Sequence, residues 1–274
     1  MKNLILNIVI ISIFVFSCHC QINNKINTEK KMPEFEEILD NFQVKGSILI
    51  YDNKKEIYYS NDFNWAKEGN IPASTFKIPN SIIAIELGIV DSDTTILKWN
   101  GEKRYLEIWE QDLSFKQAFQ LSCVPCYQEI ARNIGYKRMK DYLEKFDYNE
   151  MIIDTLSIDK FWLEGNSKIS QYKQIEFLRK FYFSELPVSE RTVKIVKNIM
   201  EIEKSEKYIL SGKTGWGTRK GNDNGWYVGF LETNENVIFF ATNVIPNEDL
   251  IPDDFLSARI NVTKTALKKL KLIK

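Results

Sequence analysis

Apolar positions along this chain fall into three successive regimes. After a polar stretch that ends near Lys31, Met32 to Leu39 carries helical spacing, and Val44 to Tyr51 and Glu56 to Ser60 read as strands joined at the turn residues Asp52-Asn53. Pro72-Ala73-Ser74 opens an apolar helix that runs to Leu87 and stops at Gly88. From Ser114 to about Ile202 the period is mostly helical, with segments Phe115 to Ile134, Tyr136 to Phe146, Ser170 to Phe181 and Ser189 to Ile202. After Lys207 the period changes again. Tyr208 to Lys213, Gly225 to Glu232 and Val237 to Val244 are strand-length apolar runs separated by Gly- and Asn-rich turns, and Phe255 to Leu272 closes the chain as an amphipathic helix. Strands at both ends with helices between predict an α+β fold: an antiparallel sheet built from both termini, flanked by helices, with an inserted mainly helical region.

The first residues follow a different pattern. Met1-Lys2-Asn3 precedes an apolar run from Leu4 to Phe16 and then Ser17-Cys18-His19-Cys20. The run is shorter than the ~20 residues of a membrane-spanning helix and has the basic, apolar and small-residue zones of a secretory leader. Residues 1–17 are therefore expected to be a signal peptide, 18–32 a polar tether and 33–274 one catalytic-size domain. The protein is expected to be exported and periplasmic, either soluble or lipid-anchored, because Val15-Phe16-Ser17-Cys18 also has the form of a lipoprotein box that would lipidate Cys18.

Composition removes several classes of function. With 37 basic and 37 acidic residues and no long run of one sign, the chain lacks the basic excess of a nucleic-acid binder. Its one histidine, His19, falls in the leader or tether, so the folded domain has none and no metal site is expected. Cys123-x-x-Cys126 sits where an apolar helix begins, without the βαβ context of a redox motif, and reads as two packed small hydrophobes, with a disulfide as the alternative.

A secreted hydrolase without histidine needs another base for its nucleophile. In Ser74-Thr75-Phe76-Lys77 the serine and lysine lie three apart on one helix face, so their side chains can meet, and Ser74 lies at the helix N-terminus, where negative charge is favoured. Lys213-Thr214-Gly215 ends a predicted strand, where the glycine would let a substrate backbone approach. Each motif is weak alone. In this order, with the triplet Ser122-Cys123-Val124 between them, they match the signature of penicillin-recognising serine enzymes.

Further motifs narrow the match. Pro72 to Asn80, Lys98-Trp99-Asn100-Gly101, Tyr127 to Arg132, Phe161-Trp162-Leu163-Glu164-Gly165, Gly225-Trp226-Tyr227-Val228-Gly229 and the segment around Arg259 make the chain resemble class D, oxacillinase-type serine β-lactamases from about Phe42 to Ile273. The resemblance implies a serine β-lactamase and penicillin-binding-protein-like fold. It also implies hydrolysis of β-lactam antibiotics through a Ser74 acyl-enzyme. A free lysine amine has a pKa of ~10.4, and burial lowers it. The resemblance implies that the neutral Lys77 amine takes up carbon dioxide, or bicarbonate, as a carbamate that serves as general base, with no other cofactor. It assigns Trp162 to hold the carbamate, Val124 and Leu163 to wall it, and Ser122 to relay a proton to the β-lactam nitrogen. Lys213, Thr214 and Arg259 would bind the drug carboxylate, and the backbone N–H groups of Ser74 and Trp216, beside Gly215, would form an oxyanion hole. Partners are then small-molecule β-lactams, with the chain a monomer or homodimer. One departure stands out: the family's Tyr-Gly-Asn is here Tyr148-Asn149-Glu150, which predicts a changed loop path and an altered substrate spectrum. Three rival readings are a β-lactam sensor that acylates at Ser74 without turnover, a cell-wall D,D-peptidase, and a CxxC redox protein.

Overall fold

Both faces of one sheet are covered by helices, which explains why its central strands are apolar runs and not alternating ones. The computed structural model describes residues 28–219 and 222–273; the predicted leader, Cys18 and His19 lie outside them. The elements in chain order are β1 (Thr28–Lys31), α1 (Glu34–Asn41), β2 (Val44–Asp52), β3 (Ile57–Ser60), α2 (Phe63–Lys67), a 3-10 turn (Ala73–Phe76), α3 (Lys77–Glu86), β4 (Ile96–Leu97) and a second 3-10 turn (Glu107–Trp109). There follow β5 (Leu113–Ser114), α4 (Phe115–Gln120), α5 (Val124–Ile134), α6 (Tyr136–Lys145), α7 (Gln171–Tyr182), α8 (Glu190–Met200), β6 (Glu201–Lys204), β7 (Tyr208–Arg219), β8 (Asn222–Thr233), β9 (Val237–Pro246) and α9 (Pro252–Lys269).

Seven strands run in the order β1-β3-β2-β9-β8-β7-β6, so strands from both ends of the described chain meet at the β2–β9 pair. All pairs are antiparallel except β1 with β3. Successive side chains of a strand face opposite ways, and β8 shows what each face meets. Trp226, Val228 and Phe230 join the core formed with α3, α4, α5, α7 and α8. Tyr227 and Leu231 join the second core, under α1 and α9. The α+β reading, with an inserted helical region between the strand groups, is the architecture observed.

Four local expectations are corrected. Residues 28–31, read as tether, form the edge strand β1. The helix expected from Phe115 to Ile134 breaks at Leu121-Ser122-Cys123, because Pro125 suits the first turn of a new helix and lacks the N–H to continue an old one. The helix expected to reach Ile202 ends at Met200, and Glu201–Lys204 instead pairs with β7 as an edge strand whose residues alternate between half-buried and exposed. The strand carrying Lys213 does not end there but runs to Arg219.

Candidate active site

The first turn of the predicted helix at Pro72 is a 3-10 turn, and the α-helix starts only at Lys77. This corrects the expected α-helical N-terminus at Ser74 and tightens its geometry, since side chains three apart eclipse in a 3-10 turn. Lys77 Nζ donates to Ser74 Oγ at 2.9 Å, with Ser74 7% and Lys77 0% exposed. The turn begins on a strained residue, Ala73 at φ 48°, a left-handed conformation that costs roughly 1–2 kcal/mol outside glycine. Thr75 anchors it, with N–H and hydroxyl both donating to Pro72 O, at 3.1 and 2.7 Å.

Strand β7 lies directly against this turn. A Cβ added to Gly215 would stand 3.0 Å from Pro72 O and 3.1 Å from Thr75 Cγ2. The glycine is thus needed for the strand to approach the turn that carries Ser74, a purpose beside the expected one of admitting substrate backbone. Strand β8 pins the same loop, where Ile71 O accepts from Asn224 Nδ2 at 3.0 Å and Trp226 Nε1 at 2.8 Å.

The break between α4 and α5 brings in Ser122. Its φ is 54°, and Lys213 Nζ donates to its hydroxyl and, at 3.1 Å, to Thr214 O. Strain therefore sits at both serines' motifs, as is common where surroundings over-determine a functional backbone. Cys123 and Cys126 are joined as a disulfide, which corrects the reading of two separate packed thiols. At the end of one turn and the start of the next, their Cα atoms are 5.4 Å apart, within bridging range.

Arg259, on α9, reaches through the sheet. It is 5% exposed and its Nη1 donates to Gly215 O, so it is not an ordinary surface charge. It fits because position 225 is glycine: a Cβ there would meet Arg259 Cδ and Phe255 Cζ, each at 2.6 Å. Trp216 packs edge-on to Phe255 and donates Nε1 to Asp223 at 2.9 Å.

Three basic side chains are thus buried in sequence. Burial, then Lys213, holds Lys77 well below the ordinary lysine range; burial, then Arg259, lowers Lys213 to about 7; burial lowers Arg259 to about 10. No carboxylate enters any of these balances. The site is poised for anions, and burial favours the neutral form of the Lys77 amine.

Trp162 is completely buried and stacks on Phe76, the residue before Lys77, at 5.3 Å and 17°. Its indole Nε1 has no hydrogen-bond partner among the described residues. Such a donor costs about 1–3 kcal/mol when left unsatisfied. Half-buried Val124 opens α5, and half-buried Leu163 follows Trp162; both pack on the helical-side core.

Two contributors escaped sequence reasoning. The Tyr127 ring lies 5.2 Å from Lys77 Nζ, its hydroxyl paired with Ser81 at 2.8 Å. Gln174 Nε2 donates to Thr75 Oγ1 at 2.9 Å, tying α7 to the nucleophile turn. Tyr148 is in the aromatic core, edge-on to Phe76 and Phe177, with its hydroxyl toward Gln174 at 3.5 Å, while Asn149 is exposed.

Comparison with known proteins agrees with this geometry. Residues 43–268 match the family model of the penicillin binding protein transpeptidase domain. β-Lactamase OXA-48 of Klebsiella pneumoniae is 42% identical over 229 residues, 84% of each chain. The crystal structure of the class D β-lactamase YbXI from Nostoc superposes with a TM-score of 0.83 at 42% identity, covering 87% of this chain and 99% of that one. The class D β-lactamase of Sebaldella termitidis gives 0.85 at 36% identity, covering 90% and 100%. A serine within hydrogen-bond reach of a completely buried lysine, in a chain this similar over this length, places the protein in the class D serine β-lactamase family.

Proposed function

We propose that this chain hydrolyses the β-lactam amide of antibiotics through a Ser74 acyl-enzyme, using a carbamate on Lys77. The observation that carries the proposal is the buried Lys77 amine 2.9 Å from Ser74 Oγ, with no carboxylate of the described residues contributing to its shift. The residues fit the modification: burial favours the neutral amine, the form that attacks carbon dioxide, Trp162 Nε1 is a buried donor without an acceptor among the described residues, and the adjoining cations favour an anion. Carbon dioxide bound to Lys77 as a carbamate supplies an oxygen base for acylation and for the deacylating water.

The remaining steps belong to side chains already placed. Ser74 Oγ attacks the β-lactam carbonyl and gives up its proton. The backbone N–H groups of Ser74 and Trp216 receive the developing oxyanion, each such donor being worth ~100- to 1,000-fold in rate. Ser122 delivers a proton to the leaving nitrogen, resupplied through Lys213 Nζ. Lys213, Thr214 and Arg259 take the substrate carboxylate, with Arg259 also holding Gly215 O.

Intact-protein mass spectrometry tests the proposal. Mixed with excess penicillin, the chain is expected to show an adduct on Ser74 that disappears once substrate is exhausted. An adduct that persists after substrate is removed would instead make it a β-lactam sensor, and none at all would refute acylation.

A pH dependence follows from Lys213. In the free enzyme its pKa is about 7, so the ammonium that attracts the substrate carboxylate is lost as pH rises through 7. KM is therefore expected to rise from pH 6 to pH 8.5 for an anionic β-lactam and to stay flatter for its methyl ester. Equal profiles for acid and ester would remove Lys213 from carboxylate binding.

A further inference from the structure

The Cys123–Cys126 bond lies inside the Ser122 motif, yet none of the steps above uses it. The segment around Ser122 is tied from several sides. Ser122 N–H donates to Phe119 O at 3.1 Å, and Cys123 N–H to Ala118 O at 2.9 Å. Cys123 Sγ caps α5 by accepting from Cys126 N–H at 3.3 Å, and the covalent bond fastens that cap to the first turn. Arg104 Nη1 stands 3.6 Å from each sulfur and donates to Trp109 O at 2.8 Å. Trp109 Nε1 in turn donates to O of Leu121, the residue before Ser122, at 3.0 Å. The disulfide is thus the hub between the strained serine, the start of α5 and the Arg104–Trp109 segment.

We propose that this disulfide is a positioning clamp for the Ser122 hydroxyl, so that reducing it slows acylation. The proposal rests on the reading of Ser122 as proton relay. Reduction by a dithiol breaks the Sγ–Sγ bond, adds one electron and one proton to each sulfur, and leaves the reductant as its own disulfide. Two unbonded sulfurs need more room than a bonded pair, and Cys123 and Cys126 are 0% and 5% exposed in a close-packed interior. The space must come from Arg104 or from the backbone at Ser122 and Cys123. A left-handed serine survives only while its surroundings over-determine it, so the backbone there is the weak point. A shift of about an ångström at a reacting group can cost on the order of 100-fold in rate.

The test compares the full chain oxidised and after dithiothreitol, with peptide mapping of alkylated Cys123 and Cys126 to establish reduction. Single-turnover acylation by a chromogenic cephalosporin is expected to slow by about 10- to 100-fold. The dissociation constant of the non-covalent complex stays unchanged, and amide exchange over residues 118–127 becomes faster. Reoxidation restores all three. Cys126→Ser is expected to acylate at the reduced rate and ignore dithiothreitol; if that variant does not fold, the reduced wild type carries the test. Two alkylated cysteines with unchanged acylation and unchanged exchange would overturn the clamp. Faster exchange on reduction in a chain that never acylates, even oxidised, would support the clamp and refute the β-lactamase reading on which the relay rests.

Discussion

Replacing Lys77 with methionine is expected to abolish β-lactam turnover while leaving the fold as stable as before at pH 7, or more so. Loss of a positioned base typically removes ~100- to 10,000-fold in rate, and here the same side chain also carries the proposed carbamate. The stability arm follows from linkage. Lys77 is completely buried and its folded pKa lies well below the ordinary value, whereas the unfolded chain titrates near ~10.4. Between those two values the unfolded state binds the extra proton, so native stability rises with pH across the window and is lowest, for this group, on its acid side. Methionine occupies similar volume and never titrates. The variant's melting temperature should therefore equal or exceed that of the parent at pH 7, with the difference shrinking toward pH 10. A variant that unfolds at pH 7 would mean that Lys77 holds the structure together and is not a functional group carried at a cost.

Trp162→Phe is the second large effect, and it separates packing from hydrogen bonding. Phenylalanine keeps an aromatic ring against Phe76 and Phe161, which Trp162 contacts at 5.3 and 5.0 Å. It removes the unpartnered indole N–H. A hydrogen bond to a charged group is worth about 1.5–3 kcal/mol, or roughly 10- to 150-fold in an equilibrium constant. The bicarbonate concentration needed for half-maximal activity should rise by about that factor, and saturating bicarbonate should recover most of the rate. Thermal denaturation checks the other half: relief of the unsatisfied donor should offset much of the loss of ring area. Unchanged bicarbonate dependence would take Trp162 out of the site's chemistry and leave it as core.

The site was legible in sequence where its chemistry depends on local spacing. Ser74 and Lys77 share one turn, and the absence of histidine from the domain singled out the lysine. The sheet and the inserted helices were legible because apolar period distinguishes them. What escaped depends on packing between distant segments. Tyr127 meets Ser81 across 46 residues and Gln174 meets Thr75 across 99, and neither has a local signature. Edge strands β1 and β6 are short and polar, so their pairing is set by neighbours and not by an apolar run. The break at Ser122 had a signal in Pro125, but apolar residues on both sides concealed it. Gly215 was singled out for close approach by a substrate, and its close approach to Pro72 O of the protein itself had no local signal. Arg259 was legible only through the resemblance of its segment, since Lys264, Lys268 and Lys269 lie on the same helix and only the glycine at 225 opens its path into the site.

The departure at Tyr148-Asn149-Glu150 has a structural counterpart. Tyr148 is committed to the core against Phe76 and Phe177, whereas Asn149, where the family has glycine, is exposed, so the departure lies outside the packing behind Ser74.

Steady-state turnover of a chromogenic cephalosporin, measured with and without added bicarbonate in carbon-dioxide-depleted buffer, tests the central claim most directly. The account predicts many turnovers per chain, a rate that climbs with bicarbonate to saturation, and no turnover in Lys77→Met at any bicarbonate concentration. A single stoichiometric burst followed by a stable acyl-protein, or a turnover rate indifferent to bicarbonate, would contradict it.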